Sequence, residues 1–595
     1  MKSLLSLTKY LSNYKNYLII GLVFILFSNV FAILIPPIVR ESIDGVLLFL
    51  DEGKMPKYHN IIPYYFQSKF GIAILSGGLI LLSAFLKGIC MYFMRMTIIV
   101  MSRYIEFDQK NDIFKHYQSL GQDFYAKNYT GDLMNRISDD VSKVRMFTGP
   151  AIMYTLNLTC MIIMVVSLMF YINSTITLYV LIPFPILALS IYFVSDAMNK
   201  RSDLIQQRLS KITSFVQETF SGVQLVKSYA AESYFIREFR AFNINYKKDN
   251  MSLVRVNGIF MPAVLALIGM SILITVYVGG NAVIANQFTL GNIVEYIIYV
   301  NMLTWPVTSI GYVTSLVQRA SASQNRIDEF MNTTSMKNKG DLKIENLSSN
   351  IEFRDVWFRY DESSEWVLKS LNFVINSQNK IGILGTTGAG KSTIAKLLMG
   401  IYAPSKGSIL IDGIPIQDYC KTSLSSIYGY VSQDIFLFSD SIKNNILMGC
   451  NSKQDYSNLD SVIKCAELQK EINSFPDKIE TVLGERGITL SGGQKQRVSI
   501  ARALIKKPSV LIIDNGMSAV DTKTEASLKQ NINSWSESNT AVYISHRIST
   551  VQDCDSIILL DEGEIVEIGA HQKLINSNDI YSKLFSKQLA VDDNS

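Results

Sequence analysis

Six apolar runs, each long enough to cross a bilayer, lie within the first 316 residues of this 595-residue chain, a pattern at odds with a soluble fold. They fall at about 17–39, 70–94, 148–171, 175–196, 257–279 and 289–316. The connectors alternate between short and long. The short links 172–174 and 280–288 carry no Lys or Arg, whereas the long links 103–147 and 197–256 carry seven and ten. Positive residues stay on the cytoplasmic side, so both long links and both termini are expected there, with the 45–69 loop outside. The long links read as helical, because structureless insertions of that size are rare within a compact domain. Spans two to five are therefore expected to continue beyond the membrane and turn back at short tips. The N-terminal stretch MKSLLSLTKYLSNYK has no small-residue cleavage site before the first apolar run. It reads as a retained anchor whose first residues form an amphipathic helix along the membrane surface.

Composition agrees with a membrane protein carrying a soluble part. Mean hydropathy is +0.20 with 18% charged residues, and the apolarity is concentrated in the first half. Net charge is +5 without a clustered basic tract, so no nucleic-acid partner is implied. The six cysteines are scattered with no CxxC pair, which argues against a disulfide framework or a structural zinc site. Two ionisable residues sit inside apolar runs: Lys87 and Glu295. Each needs a partner or a wet cavity, since an intramembrane charge costs about 2.5–3.5 kcal/mol on insertion scales. Lys87 either meets an acidic substrate in a cavity or snorkels to a leaflet boundary.

Apolar dominance stops near Val317, and 318–350 reads as helix remnants followed by a polar linker. From Ile351 short apolar runs alternate with helical patterns, as in an α/β nucleotide-binding domain. The apolar strand Ile381-Gly382-Ile383-Leu384 leads into Gly385-Thr386-Thr387-Gly388-Ala389-Gly390-Lys391-Ser392-Thr393, which opens a helix. This is a P-loop. Its backbone N–H groups cradle phosphates, Lys391 reaches the β/γ oxygens and the Ser392 hydroxyl coordinates Mg²⁺. Downstream, Leu490-Ser491-Gly492-Gly493-Gln494 precedes another helix and forms a second anion site. Within one chain that second cap is surplus; it makes sense if two such domains meet head to tail, each closing over the other's ATP. The run Val510-Leu511-Ile512-Ile513-Asp514 reads as a buried strand ending in the metal-positioning Walker B aspartate.

Together these motifs make the chain resemble a bacterial ABC exporter half-transporter over essentially its whole length. The fold implied is a multidomain membrane protein: an all-α six-helix transmembrane domain at 1–317, a linker at 318–350, and an α/β P-loop ATP-binding domain at 351–590. Carried over by motif, Tyr360 matches the aromatic that stacks on adenine. Gln433 matches the glutamine that contacts Mg²⁺ and couples to the membrane helices. Asp521 closes the D-loop Ser518-Ala519-Val520-Asp521, and His546 matches the switch histidine that senses γ-phosphate. The resemblance gives Mg²⁺ the ligands Ser392, Gln433 and Asp514. Thr481–Gly487 is similar to the exporter X-loop, with Leu483 where Val is common. Thr130–Arg136 and Glu218…Gly222…Lys227 are similar to the two coupling helices. The implied cofactors are ATP and Mg²⁺. The implied partners are a second half-transporter, membrane lipid and a hydrophobic or amphipathic small molecule. The implied location is the plasma or inner membrane.

Asn515 departs from that pattern. The residue after the Walker B aspartate is usually a glutamate that polarises the attacking water, and general-base help is worth about 10²–10⁴ in rate. An amide orients water but takes no proton, so ATP binding is expected to survive while hydrolysis at this chain's own site is slow. Three readings stay open. The favoured one is the degenerate-site subunit of a heterodimeric exporter, whose Ser491–Gln494 cap completes a competent site on its partner. The others are a homodimer altered at this position to trap ATP, and a slow natural homodimer or non-pumping ATP-gated regulator. A soluble P-loop regulator or DNA-repair ATPase is excluded by the six spans, and an importer is disfavoured by the fusion of membrane and ATPase parts.

Overall fold

The computed structural model describes residues 2–51, 69–333, 340–450, 453–484, 487, 490–516, 522–535, 539–577 and 579–592. They form two compact units, Met1–Gln118 with Thr130–Thr333, and Ser119–Tyr129 with Thr334–Ser595.

Among its described residues the first unit holds six helices long and apolar enough to cross a membrane: Lys15–Leu47, Ala73–Ser119, Thr130–Ile172, Ser174–Ser221, Glu232–Ile284 and Leu290–Met331. One expected apolar run falls on each. The fifth has 53 residues, about 80 Å at 1.5 Å per residue against about 30 Å of hydrocarbon. The sixth is also longer than expected, continuing past Val317 to Met331 because Leu316, Ala320, Ser323, Gln324, Ile327 and Phe330 recur at helical spacing and are all buried. The helix remnants expected at the start of 318–350 are thus a continuation of this helix, packed in the membrane unit. Its polar residues take part in the packing: Ser323 donates to Asp140 at 2.8 Å and Gln324 accepts from Gln109 at 3.2 Å.

The N-terminal segment, helical over Thr8–Asn13, is pinned rather than merely laid on a surface. Leu7 is fully buried, and the Tyr10 and Tyr14 hydroxyls donate to Asp112 and Asp108 at 2.7 and 2.9 Å. Glu295 has found its partner: fully buried, it accepts from Arg40 Nη1 and from the Tyr299 hydroxyl, both at 3.0 Å. Lys87, half-buried, has no hydrogen-bond or ion-pair partner among the described residues.

Both expected tips exist, and one is shifted. The short helix Gln122–Lys127 clusters with the second unit, where Lys127 pairs with Asp361 at 3.3 Å. Thr130–Asn135, expected as the coupling helix, instead begins the third membrane helix, and Arg136 lies over the Phe330 ring at 5.5 Å. Between the fourth and fifth helices a short helix, Val223–Ser228, forms the other tip, with Leu225 exposed. There Lys227 pairs with Glu232 at 2.8 Å, and the Glu218 carbonyl accepts from Gly222 N at 2.9 Å.

The second unit carries ten strands among its described residues: β1 Asn350–Phe358, β2 Leu368–Asn376, β3 Lys380–Gly385, β4 Lys406–Ile411, β5 Ile414–Pro415, β6 Tyr428–Val431, β7 Val510–Asp514, β8 Thr540–Ser545, β9 Ser556–Asp561 and β10 Glu564–Gly569. β2-β1-β4-β5 make a small antiparallel sheet. The larger sheet runs β10-β9-β3-β8-β7-β6, parallel except for the edge strand β10. Every residue of β7 and β8 is buried, as expected of strands covered on both faces.

Candidate nucleotide site

β3, β8, β7 and β6 lie side by side and parallel, so their carboxyl ends share one edge, where open α/β sheets bind ligands. The pairings Leu384↔Ser545 and Ile544↔Asp514 bring the P-loop, His546 and Asn515 to that edge together. Gln433 follows β6 by two residues. The result is a cleft of about 440 Å³ lined by Tyr360, Thr387, Gly388, Gly390, Lys391, Ser392, Thr393, Gln433, Asn515 and His546.

The loop's shape follows from its glycines. Gly388 and Gly390 have φ of +90° and +96°, a region L side chains avoid, and Gly390 then N-caps the helix Lys391–Leu398. Lys391, 8% exposed, donates to the Gly385 and Thr386 carbonyls at 2.9 and 2.6 Å. Burial pushes its ammonium pKa down, while Asp514 holds it up. The Thr386 hydroxyl donates to Asp561 at 3.2 Å, and Ala389 is buried beneath the turn. Tyr360 is fixed at its far end by a 2.9 Å bond between its hydroxyl and Thr393 Oγ1, and edge-to-face by Phe358 and Tyr402.

Asp514, 1% exposed, ends β7, and neither carboxylate oxygen has a geometrically formed hydrogen bond among the described residues, although the Ser392 hydroxyl and Lys391 ammonium are neighbours. Burial raises its pKa, against the opposing pull of Ser392 and the Lys391 and Lys396 charges. A buried carboxylate lacking donors beside a hydroxyl is the hard-oxygen set that suits Mg²⁺, so the residues fit that ion. Asn515 follows in a left-handed conformation, φ +49°, its N–H donating to the Ile544 carbonyl at 2.9 Å. The His546 imidazole is held below its ordinary pKa by burial and by the Arg547 and Lys391 charges.

The other expected residues lie elsewhere. Ser491, Gly492, Gly493 and Gln494 start the helix Gly492–Leu504 and do not line the cleft; Ser491 and Gln494 cap each other reciprocally, at 3.0 and 3.3 Å. Asp521 and the preceding D-loop residues 518–520 lie outside the described residues, as do Glu485 and Arg486 of the X-loop. One cleft residue and one neighbour of the cleft escaped the sequence reading. Val367 lines the wall, and the Lys396 ammonium stands 5.7 Å from the centre of the Tyr360 ring. No motif marks either.

Comparisons with known proteins agree with this architecture. The ABC transporter transmembrane region family matches residues 18–307, and the ABC transporter family matches 368–518. The probable multidrug resistance ABC transporter ATP-binding/permease protein YheI of Bacillus subtilis is 35% identical, covering 80% of this chain and 82% of its own length. The multidrug resistance-like ATP-binding protein MdlA of Buchnera aphidicola subsp. Baizongia pistaciae is 30% identical over 97% of both chains. The ATP-dependent lipid A-core flippase of Haemophilus influenzae is 28% identical, covering 91% and 90%. Among solved structures, a bacterial Atm1-family ABC exporter with ATP bound matches with a TM-score of 0.78 at 22% identity, covering 96% of this chain and 99% of that one, which speaks to fold alone.

Proposed function

The chain belongs to the ABC transporters, a six-helix transmembrane region fused to an ABC ATPase, and on that premise we propose that it is one subunit of an ATP-driven exporter with a hydrolysis-impaired site of its own. The cargo is an amphipathic or lipid-like molecule or drug, a reading supported by what its multidrug and lipid A-core flippase relatives are named for. The ATP-binding domain, 351–590, and both termini face the cytoplasm, as the Lys and Arg distribution favours.

The observation that carries the reading is the cleft. Tyr360 offers a ring to adenine, the P-loop and Lys391 receive the phosphates, and Ser392, Gln433 and Asp514 hold Mg²⁺. His546 faces the γ-phosphate position. At the place of the base stands Asn515, which binds water but takes no proton. A second half-transporter then supplies what is missing: its catalytic carboxylate works beneath this chain's Ser491–Gln494 cap, while this chain's own ATP serves chiefly to hold the pair together. Closing of the two ATPase domains turns the cavity outward, and hydrolysis resets it. One observation favours a slow homodimer instead: His546 is retained and lies against Asn515.

The test is to purify the chain alone and with the product of a neighbouring transporter gene, with and without Asn515→Glu. Expected is weak ATPase alone, strong ATPase in the pair, and a gain on introducing Glu. Brisk hydrolysis by the unmodified chain alone overturns the degenerate-site reading.

A further inference from the structure

The fourth and fifth membrane helices are hydrogen-bonded together at two levels. At one level Arg201 Nε donates to Ser252 at 3.0 Å and Arg208 Nε to Asp249 at 3.1 Å. At the other, the Ser271 hydroxyl donates to the Val180 carbonyl at 2.7 Å. Between these levels lies a slot of about 180 Å³ whose walls include Leu187, Ser190, Val194, Ile259, Ala263 and Leu267. Pro262 sits in the middle of that stretch of the fifth helix. It has no N–H to donate and its ring crowds the preceding turn, so the backbone hydrogen bonding of the fifth helix is interrupted there.

The slot's chemistry narrows its occupant. Ser190, the one hydroxyl on its walls, already donates to the Ile186 carbonyl at 2.8 Å, so the lining offers hydrocarbon and no free donor. At about 30 Å³ per water-sized group the volume takes a run of about six methylenes. Cations stand at one end. Leu187, Ser190, Val194 and Arg201 follow one face of the fourth helix at steps of three, four and seven, which places Arg201 about 10 Å beyond Val194. Arg201 uses Nε and Nη1, the latter on the Ala197 carbonyl at 3.1 Å, leaving Nη2 without a partner among the described residues. Arg255, next to the slot residue Val256, is exposed and has no partner among the described residues. Both arginines fall just outside the apolar runs, where cationic side chains reach towards lipid headgroups.

We propose that this slot binds an anionic phospholipid of the cytoplasmic leaflet, with an acyl chain in the seam between the fourth and fifth helices and the phosphate on Arg201 and Arg255. Guanidinium groups match phosphate oxygens in geometry and charge, and the apolar seam gives the chain a dry groove. The leaflet assignment rests on the orientation proposed above. The binding itself does not depend on which cargo is exported.

The experiment takes delipidated full-length protein in detergent and offers phosphatidylglycerol, phosphatidylcholine or inorganic phosphate, counting retained lipid by native mass spectrometry. A phosphatidylglycerol with a photoactivatable acyl chain then maps the contact. Expected is one phosphatidylglycerol per chain, labelling within the stretches 187–194 and 256–267. Ala263→Phe, which fills the slot, lowers retention about tenfold. Arg255→Gln, at an exposed position, lowers the preference for phosphatidylglycerol over phosphatidylcholine about fivefold, the effect of one cation at a lipid surface, because retention of the zwitterionic phosphatidylcholine falls less. Labelling elsewhere, equal retention of both lipids by the unmodified chain, or displacement of the lipid by inorganic phosphate overturns the proposal. So does a result in which Ala263→Phe shifts the dimer equilibrium and not lipid retention, since a second copy would then be what covers the seam.

Discussion

The imidazole Nδ1 of His546 lies 3.4 Å from the amide oxygen of Asn515, at the ends of neighbouring parallel strands. The distance is long for a hydrogen bond, so the contact is weak. Burial, with the Arg547 and Lys391 charges nearby, holds the ring below its ordinary pKa and so favours its neutral form. Asn515 brings no basic group to the pair, so position 515 itself draws no proton from water.

Replacing Asn515 by Glu therefore tests two effects at once. Asparagine tolerates the left-handed φ of +49° well, and a glutamate there adds about 1 kcal/mol of backbone strain, lowering the melting temperature by a few degrees. It also supplies a base, and ATPase should rise by about 10²-fold or more. An unchanged rate in a folded, ATP-binding variant would show that this position is not what limits turnover.

Tyr360 divides its work between ring and hydroxyl. Tyr360→Ala removes the stacking surface, worth about 1–3 kcal/mol per base, and should weaken binding of a fluorescent ATP analogue about 5- to 150-fold. Tyr360→Phe removes only the 2.9 Å bond to Thr393 and should cost about 1 kcal/mol or less. Equal losses in the two variants would move the role from the ring to the hydroxyl.

Asp514 gives a pH signature in the nucleotide-free protein. Its pKa is raised by burial, so the folded state binds a proton more readily than the unfolded one, and stability rises as pH falls through the raised pKa towards the ordinary carboxylate value. Asp514→Asn removes the buried charge. Melted without nucleotide, the variant should be the more stable at neutral pH, with the gap closing on acidification. Adding Mg²⁺ and ATP should stabilise the unmodified protein and leave the variant much less affected. A gap that widens on acidification contradicts this account.

The Arg40–Glu295 pair should reveal itself by what rescues it. Removing one partner, as in Arg40→Leu, strands a buried carboxylate and is expected to destabilise by about 3 kcal/mol. Arg40→Leu with Glu295→Leu removes both charges and should recover most of that loss. Additive losses in a thermal-melting double-mutant cycle would argue that the two residues do not act as a pair.

Much of the nucleotide site could be read in the sequence because each piece has a local signature: glycines at fixed spacing, an apolar strand ending in Asp514, a histidine closing the run Ile544-Ser545-His546. Parallel pairing then brings those strand ends together without further instruction. What escaped depended on side chains meeting across long stretches of chain. Glu295 announced a need for a partner, but Arg40 lies 255 residues away and no periodicity points to it. The buried Asp140, bound by Arg326 and Ser323, likewise shows how the helix remnants at the start of 318–350 are held in the membrane unit by a partner 183 or more residues away that no local pattern marks. The docking tip was misplaced by a few residues because a turn and a short helix share one composition. There the Lys127–Asp361 pair, not the local pattern, marks where the chain has changed units.

The length of the second membrane helix has a mechanical consequence. Ala73–Ser119 is a single rod of 47 residues, about 70 Å long, and it ends where the chain passes into the Ser119–Tyr129 segment of the ATPase unit. Pivoted at one end, a rod of that length turns a tilt of about 5° into a sweep of about 6 Å at the other, roughly one turn of helix. Over that length, a small rotation inside the bilayer and a displacement of several ångströms at the helix's far end are the same event.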